Sequence, residues 1–211
     1  MTELCNPFLI TVTGPSGTGK DSVINALCKH DGHICRYASC TTRTMRDGEQ
    51  EGIDYYYVSH EEFASRVASG DIVEHSHHYG NMYGNILAPV KAILEVGNNP
   101  IKDITVSGAK AYDKILPGQV FKIALLPPSR ERLFARLTKR NPNLSDEGKA
   151  RFKLIADDLE HLHDPSYTFT NPDMKGSKLT EYDAVFVNDD LEVTVYAIAK
   201  RIEEERAKRG A

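Results

Sequence analysis

Long apolar runs are absent from this sequence, whose apolar stretches reach only the length of a single β-strand. A helix that crosses a membrane needs about 20 consecutive, mostly apolar residues. The chain start, Met-Thr-Glu-Leu-Cys-Asn-Pro, also lacks the basic beginning and the apolar core of a secretory signal. We therefore expect a soluble, cytoplasmic protein with no membrane partner.

Positive charge is not in excess either. Lysine and arginine number 26 against 30 aspartate and glutamate residues, which gives a net charge of -4 at pH 7. Proteins that bind nucleic acid usually carry a basic excess or a broad basic surface. We expect no nucleic-acid partner, and local basic clusters have to account for any anion binding.

Cysteine is scarce, with four residues in a chain of 211 and no Cys-x-x-Cys pair, which argues against a disulfide scaffold. Two stretches leave zinc open as a minor alternative: the group Cys28, His30, His33 and Cys35, and the histidine-rich stretch 74–78. The first spans a helix end, a turn and a strand start, and the second shows no third ligand on one face of a strand. We favour ordinary packing for both.

What the sequence does contain is a regular alternation of strand-like and helix-like segments. With 40% hydrophobic residues, the chain suffices for one α/β domain, whose buried strands predict a central parallel sheet flanked by helices. Residues 37–88 interrupt the alternation with short, antiparallel-looking strands, so we interpret them as an inserted substrate-binding subdomain. We further predict one strand over 34–42, a glycine-punctuated turn over 79–84, a strand over 101–106 and a surface loop over 164–180.

Residues 14–22 read Gly-Pro-Ser-Gly-Thr-Gly-Lys-Asp-Ser and stand between an apolar strand and a helical pattern. Glycines in this spacing let backbone N–H groups converge on an anion, the helix N-terminus adds a positive dipole, and Lys20 can bridge the outer phosphates. A glycine-rich turn that matches by chance is the competing interpretation. We predict a phosphate-binding loop, in which these residues bind the nucleotide that donates the phosphoryl group: Gly14, Ser16, Gly17, Thr18, Gly19, Lys20, Asp21 and Ser22.

The end of this loop departs from the usual motif, in which a serine or threonine follows the lysine and reaches Mg²⁺. Asp21 stands at that place, and Ser22 comes one residue later. Two possibilities stay open: Asp21 meets the metal, directly or through water, or Ser22 takes over.

Three further polar clusters point to a bound anion or base. Arg43 and Arg46 stand three apart on a polar loop, where planar guanidinium groups can grip one phosphoryl group. Glu74 can accept two hydrogen bonds at once from a planar base edge. The basic residues of 136–140, a hinge at 141–144 and the basic start of the next helix predict a lid over a triphosphate. A solvated surface is the alternative for both basic clusters.

Together with the phosphate loop, four segments carry a resemblance to guanylate kinases that covers nearly the whole chain. They are Ser39-Cys40-Thr41-Thr42-Arg43-Thr44-Met45-Arg46-Asp47-Gly48-Glu49, Gly52-Ile53-Asp54-Tyr55, Gly80-Asn81-Met82-Tyr83-Gly84 and Val187-Asn188-Asp189-Asp190. The resemblance implies a P-loop kinase core (1–36, 89–138 and 150–211), a subdomain that binds the nucleoside monophosphate (37–88) and a lid (139–149). It also implies ATP-dependent phosphorylation of GMP or dGMP with Mg²⁺, and we leave monomer and homodimer both open.

The resemblance assigns roles to single residues as well. Phosphoryl transfer would fall to Lys20, Arg43, Arg140 and Arg151, and the ATP site would include Arg136 and Asn188. The acceptor nucleotide would be bound by Ser39, Arg43, Arg46, Tyr55, Glu74, Tyr83, Asn85, Asp103 and Thr105. The candidate metal ligands are Asp21, Ser22 and Asp103.

Three departures from the family pattern keep other functions open. Thr105 and Asn85 replace an aspartate and a serine or threonine that face the guanine in the family, and Asp21-Ser22 looks like the corresponding pair of ribose bisphosphokinases. A kinase for another nucleoside monophosphate or for a phosphorylated sugar is therefore the first alternative. A non-catalytic binding module of the same fold is the second, and the intact phosphate loop argues against it.

Overall fold

Five parallel strands form the central sheet, and helices cover both of its faces. The computed structural model describes residues 6–78, 80–140 and 145–210. The strands are β1 Leu9–Thr13, β2 Ile34–Arg36, β3 Ser39–Thr41, β4 Tyr55–Tyr57, β5 Ile72–His78, β6 Asn81–Ile86, β7 Asn99–Asp103, β8 Val120–Leu126 and β9 Ala184–Val187. The helices are α1 Lys20–His30, α2 His60–Ala68, α3 Leu87–Glu95, α4 Val106–Ile115, α5 Arg130–Arg140, α6 Asp146–Leu159 and α7 Leu191–Gly210, with a 3₁₀ helix at Leu179–Glu181. None of the described helices is long and apolar enough to cross a membrane.

The central sheet has the strand order β2-β7-β1-β8-β9, and its pairings are parallel. All residues of β1 are buried, as expected for a strand with helices on both sides. Ile10 and Val12 pack in a cluster with residues of α1 and α7, whereas Leu9 packs in a cluster with residues of α3 and α4. The predicted α/β fold with a central parallel sheet is confirmed.

Residues 39–86 build a second, separate sheet with the strand order β4-β3-β6-β5. Helix α2 covers this sheet through Phe63, which packs in a small core with Cys40, Ile72 and Ile86. β6 pairs antiparallel with β3 and β5, but β3 and β4 run parallel. The antiparallel arrangement predicted for this stretch is therefore only partly right.

The predicted strand over 34–42 is wrong, because the chain changes sheets within it. Residues Ile34–Arg36 pair with β7 in the central sheet, and Ser39–Thr41 pair with β4 and β6 in the second sheet. Tyr37 and Ala38 lie buried between the two strands. Both strands are extended, so the local sequence pattern does not reveal the change of partner.

The predicted turn over 79–84 is also wrong, since the chain from Asn81 onward forms β6. Gly84 lies within this strand, where an added Cβ would come within 2.7 Å of Ile72 and 2.9 Å of Phe63. This glycine is needed for packing against β5 and α2 rather than for a turn.

The strand predicted at 101–106 begins and ends earlier, at Asn99–Asp103. The Thr105 hydroxyl accepts a hydrogen bond of 3.0 Å from the Gly108 N–H and thereby caps α4, which begins at the next residue. Thr105, assigned to the base by resemblance, therefore also has a structural task.

Residues 164–180, which we call the late loop, are packed more closely than a surface loop would be. Phe169 and Met174 are buried in a cluster with Ala124 and Leu126 of β8. The prediction of a surface loop is wrong to that extent, because part of the late loop covers a strand of the central sheet.

A single buried carboxylate, that of Asp158 in α6, ties the late loop to the rest of the chain. It accepts hydrogen bonds from the Tyr167 hydroxyl at 2.7 Å, from the Thr170 hydroxyl at 2.8 Å and from the backbone and side-chain N–H groups of Asn171 at 2.8 and 2.6 Å. Burial alone would raise the pKa of Asp158, but these hydrogen bonds outweigh it and place the pKa below its usual value. The late loop therefore requires the charged carboxylate.

Replacing Asp158 with Asn should lower the free energy of unfolding by about 1–3 kcal/mol near neutral pH, because several buried donors lose their charged acceptor. Since the folded-state pKa is depressed, the contribution of Asp158 is present above its unfolded pKa of about 3.9 and is lost as the pH falls further. The difference between wild type and Asp158→Asn in urea unfolding should therefore shrink below about pH 4. The neighbouring, exposed Asp157→Asn is the matched control, and an equal loss in both variants would contradict this role.

Candidate active site

The segment between β1 and α1 turns sharply over the edge of the central sheet and leaves no room for side chains at two positions. A Cβ on Gly14 would lie 2.0 Å from the Leu125 carbonyl oxygen of β8. Gly19, the N-cap of α1, has a φ of 88°, in the left-handed region that favours glycine. The first N–H groups of a helix have no partner within it, so the loop and the start of α1 present donors to the same space.

Side chains of the loop stabilise the shape of its own backbone. The Lys20 ammonium donates to the carbonyl oxygens of Gly14 at 2.6 Å and Pro15 at 3.1 Å. Thr18 is fully buried, and its hydroxyl donates to the Pro15 carbonyl oxygen at 2.9 Å. Thr18 is predicted to bind the phosphate donor, but its side chain stabilises the loop backbone.

A cavity of about 1260 Å³ opens at the loop and is lined by charged groups of both signs. The loop and the start of α1 line one part of it, and Arg136, Arg151 and Asn188 line another. Burial lowers the pKa of Lys20, and nearby carboxylates oppose this shift. The size of the cavity and its cations suit a ligand with several phosphates.

Two residues assigned to ATP by resemblance form hydrogen bonds that stabilise the phosphate loop. The Asn188 side-chain amide donates to the Thr18 carbonyl oxygen at 2.7 Å, and the Arg136 guanidinium donates to the Asn188 carbonyl oxygen at 2.8 Å. Arg140 ends α5, but its side chain and the hinge 141–144 lie outside the described residues. The ATP-binding roles of Arg136 and Asn188 stay predictions.

The sequence prediction missed Arg36, at the end of β2, which holds Asp21. Its Nη2 lies 2.6 Å from an Asp21 carboxylate oxygen and 4.0 Å from an Asp103 carboxylate oxygen. Its Nη1 donates to the Asn25 side-chain oxygen at 2.8 Å. The arrangement follows from strand pairing, because β2 and β7 are adjacent and parallel, so their carboxyl ends meet at one edge of the sheet.

The zinc alternatives find no support in the described part of the chain. There, no group of three or more His, Cys, Asp or Glu side chains is arranged to hold a metal ion. His33 Nδ1 lies 2.9 Å from the Asn98 side-chain oxygen, and burial raises the pKa of the Cys28 and Cys35 thiols. For His33, Cys28 and Cys35, these contacts are those of ordinary packing.

On the second sheet, Arg43 is the centre of a polar and aromatic cluster. Its guanidinium makes a bidentate pair with Glu49 at 3.0 and 2.8 Å and lies 5.5 Å from the centre of the Tyr55 ring. The Tyr55 and Tyr83 rings meet edge to face, with 6.0 Å between their centres. The Arg43 guanidinium holds the pKa of Glu49 at about 2. Arg46, expected to grip the same phosphate as Arg43, is exposed.

Glu74 of β5 is held by three donors. Its Oε2 accepts from the Asn85 side-chain amide at 3.1 Å, and its Oε1 accepts from the Thr105 hydroxyl at 2.8 Å. The Ser107 hydroxyl, which the sequence prediction did not single out, donates to Oε1 at 3.3 Å. Because a carboxylate can accept about four hydrogen bonds, two on each oxygen, these three leave an open acceptor position on Oε2, and the 3.3 Å Ser107 contact is the longer of the two on Oε1. Ser39, assigned to the base side, is buried in β3 of the same sheet.

Comparison with known proteins places this arrangement in a family. The guanylate kinase family model matches residues 7–205. The chain belongs to the guanylate kinase family. It is 35% identical to the guanylate kinase of Chlorobaculum tepidum over 93% of this chain and 92% of that protein, and 36% identical to that of Saccharophagus degradans over 87% and 88%. The crystal structure of guanylate kinase from Anaplasma phagocytophilum matches 97% of this chain and 88% of its own, with a TM-score of 0.67 and 27% identity.

As a member of the guanylate kinase family, the chain is a nucleotide kinase. The predictions of the family, of the enzyme class and of the fold are confirmed. The matched segment includes the phosphate loop, the second sheet and the late loop. The roles of individual side chains stay predictions.

Replacing Gly14 with Ala should destabilise this guanylate kinase fold by about 1–3 kcal/mol, because the new methyl group overlaps a backbone oxygen. ATP binding should weaken as well, since relief of the overlap moves the phosphate loop. Thermal unfolding and ATP titration measure both effects, with Gly210→Ala as the matched control, where an added Cβ meets nothing within 4 Å. Wild-type stability and ATP affinity in Gly14→Ala would contradict the importance of this close packing.

Proposed function

We propose that the chain transfers the terminal phosphoryl group of ATP to GMP or dGMP, with ATP on the phosphate loop and the acceptor on the second sheet. The observation that carries this proposal is the position of Thr105. It lines the cavity at the phosphate loop, and its hydroxyl donates to the Glu74 carboxylate at 2.8 Å. A phosphate-binding loop and a carboxylate suited to a base thus lie close together, so that ATP and an acceptor nucleotide can bind side by side.

On the donor side, Lys20 and the N–H groups of the loop would bind the outer phosphates of ATP. Phosphoryl transfer asks for in-line positioning and for neutralisation of the developing charge rather than for covalent chemistry. Arg136 and Arg151 line the same cavity and would supply positive charge, and by resemblance Arg140 would join them. A general base is not needed, because the acceptor phosphate is already an anion near neutral pH.

On the acceptor side, Arg43, Tyr55 and Tyr83 would bind the phosphate of GMP. A guanidinium offers parallel N–H donors that match phosphate oxygens, and the pair with Glu49 already orients that of Arg43. The tyrosine hydroxyls can donate to the same phosphate. Arg46 would complete the site from its exposed loop.

At the base, Glu74 would accept hydrogen bonds from the ring N–H and the exocyclic amino group that guanine carries side by side, one at the open position of Oε2 and the other in place of the 3.3 Å Ser107 contact on Oε1. The Asn85 amide, which already donates to Glu74, would also donate to the guanine oxygen, and Ser39 would lie on the same side. The Thr105 hydroxyl donates to Glu74 and accepts from the Gly108 N–H. We therefore propose that Glu74 recognises the amino group of guanine and that Thr105 positions the Glu74 carboxylate.

Mg²⁺ would complete the donor site. Asp21, Ser22 and Asp103 line the cavity together, and carboxylate and hydroxyl oxygens are ligands that Mg²⁺ accepts beside phosphates and water, so these residues fit the ion. Arg36 would hold Asp21 beside Asp103. When bound, the ion would supply positive charge that neutralises part of the charge of the phosphates.

We also propose that the protein acts in the cytoplasm, in purine nucleotide metabolism. Its substrates would be nucleotides of that compartment, and a reducing environment agrees with the free thiols of Cys28, Cys35 and Cys40.

Replacing Glu74 with Gln should raise the KM for GMP by about 10- to 100-fold and change the KM for ATP by less than about twofold, because a charged acceptor is lost only at the base. An ADP-release assay with each substrate varied in turn measures both constants. Glu61→Gln, on the exposed face of α2, is the matched control. An unchanged KM for GMP would refute the assignment of Glu74 to guanine.

A further inference from the structure

A carboxylate of the late loop enters the phosphate site. Asp173 Oδ2 accepts a hydrogen bond of 2.8 Å from the Ser16 backbone N–H, which belongs to the phosphate loop. Its other oxygen, Oδ1, is paired with the Arg151 guanidinium. Pro172 and Asp173 line the same cavity as the phosphate loop. Asp173 thus binds two of the donors that the proposed function assigns to ATP.

The neighbouring residues hold Asp173 in this position. The Asn171 side-chain oxygen accepts from the Asp173 backbone N–H at 3.0 Å and from the Met174 backbone N–H at 3.2 Å. The Asn171 side-chain amide donates to the buried Asp158 carboxylate at 2.6 Å. Met174, fully buried, packs against β8, the strand that also lies under Gly14. The carboxylate is therefore presented to the phosphate loop by a well-packed segment of the chain.

The charges around Asp173 favour an anion at this point. The Asp173 side chain is 18% exposed, and among the carboxylates near Lys20 it contributes most to keeping that lysine charged. Backbone N–H groups of a phosphate loop, a lysine and an arginine are the groups that bind phosphate oxygens. A fixed carboxylate and a triphosphate oxygen are both acceptors with negative charge, so they cannot share the Ser16 N–H without repulsion.

We propose that Asp173 is a resident anion of the ATP site, which holds the Ser16 N–H and Arg151 in the ATP-free enzyme and withdraws when ATP binds. This inference rests on the proposed role of the phosphate loop as the ATP site. Withdrawal of Asp173 releases the Arg151 guanidinium, which then pairs with the phosphates. Asp173 thereby lowers the affinity for ATP and links the binding of ATP to the release of Arg151.

Calorimetric titration of Mg-ATP into the full chain without GMP tests this role. The Asp173→Asn and Asp173→Ala variants should each bind ATP at least about fivefold more tightly than wild type, because ATP no longer competes with a charged side chain. The affinity for GMP should change by less than about twofold, since Asp173 lies at the donor site. Asp164→Asn is the matched control, because that carboxylate lies in the same loop but is exposed and bonds to Ser166.

An ATP affinity that is unchanged or weaker in both variants, with thermal unfolding like that of wild type, would overturn the proposal. A lower kcat with an unchanged KM for ATP would also overturn it and would instead make Asp173 a positioning residue for Arg151. Thermal unfolding of each variant identifies a folding defect, and Asp173→Asn, which keeps the size of the side chain, then decides the outcome. The ATP site itself is tested separately by Lys20→Met. If this variant binds ATP like wild type, the proposed role of the phosphate loop fails, whatever the Asp173 variants show.

Discussion

The close contact between Gly14 and the Leu125 carbonyl oxygen is the constraint on which the rest of the site depends. A Cβ at this position would lie 2.0 Å from that oxygen. Because glycine has no Cβ, the chain leaving β1 can pass directly over β8. The loop thereby lies at the carboxyl edge of the sheet, where neighbouring parallel strands also end. β7 brings Asp103 to this edge, the end of β2 brings Arg36, and the chain after β9 brings Asn188. These side chains are far apart in the sequence and meet because of strand pairing.

The phosphate loop could be predicted from the sequence because its signal is local. Glycine spacing, Lys20 and the following helix lie within a few residues of one another, and the structure keeps all of them in register. Arg36 could not be found in this way, because its partner Asp21 lies fifteen residues earlier and the contact needs the pairing of β2 with β7. The same holds for the strand predicted over 34–42. Extended backbone looks alike in either sheet, and only the distant partner strands decide that the chain crosses from one to the other.

The late loop shows why polar composition misleads. Its Ser, Thr and Asn residues are typical of exposed turns, since their side chains hydrogen-bond readily to nearby backbone. Here two of its residues, Thr170 and Asn171, donate instead to the buried carboxylate of Asp158, and apolar Phe169 and Met174 cover β8. A prediction from composition counts the polar groups, but it does not show that several of them share one hydrogen-bond acceptor, the Asp158 carboxylate. The late loop thereby becomes a folded part of the domain that reaches the phosphate loop.

Three arginines near the two proposed phosphate sites share one electrostatic pattern, in which each is already paired with a carboxylate. Arg36 pairs with Asp21, Arg43 with Glu49 and Arg151 with Asp173. Cations gathered for polyanionic substrates would repel one another in the empty enzyme, and these carboxylates reduce that repulsion. With its pKa held at about 2, Glu49 stays charged at any pH where the enzyme would work.

Phosphate binding in such a site is an exchange or sharing of anionic partners. The affinity for phosphate therefore depends on how firmly each carboxylate is held as well as on the arginines. Glu49 is held by its own turn, through the Arg46 backbone N–H, whereas Asp173 is held by the late loop, through the Asn171 side chain. The acceptor and donor sites can therefore be tuned independently.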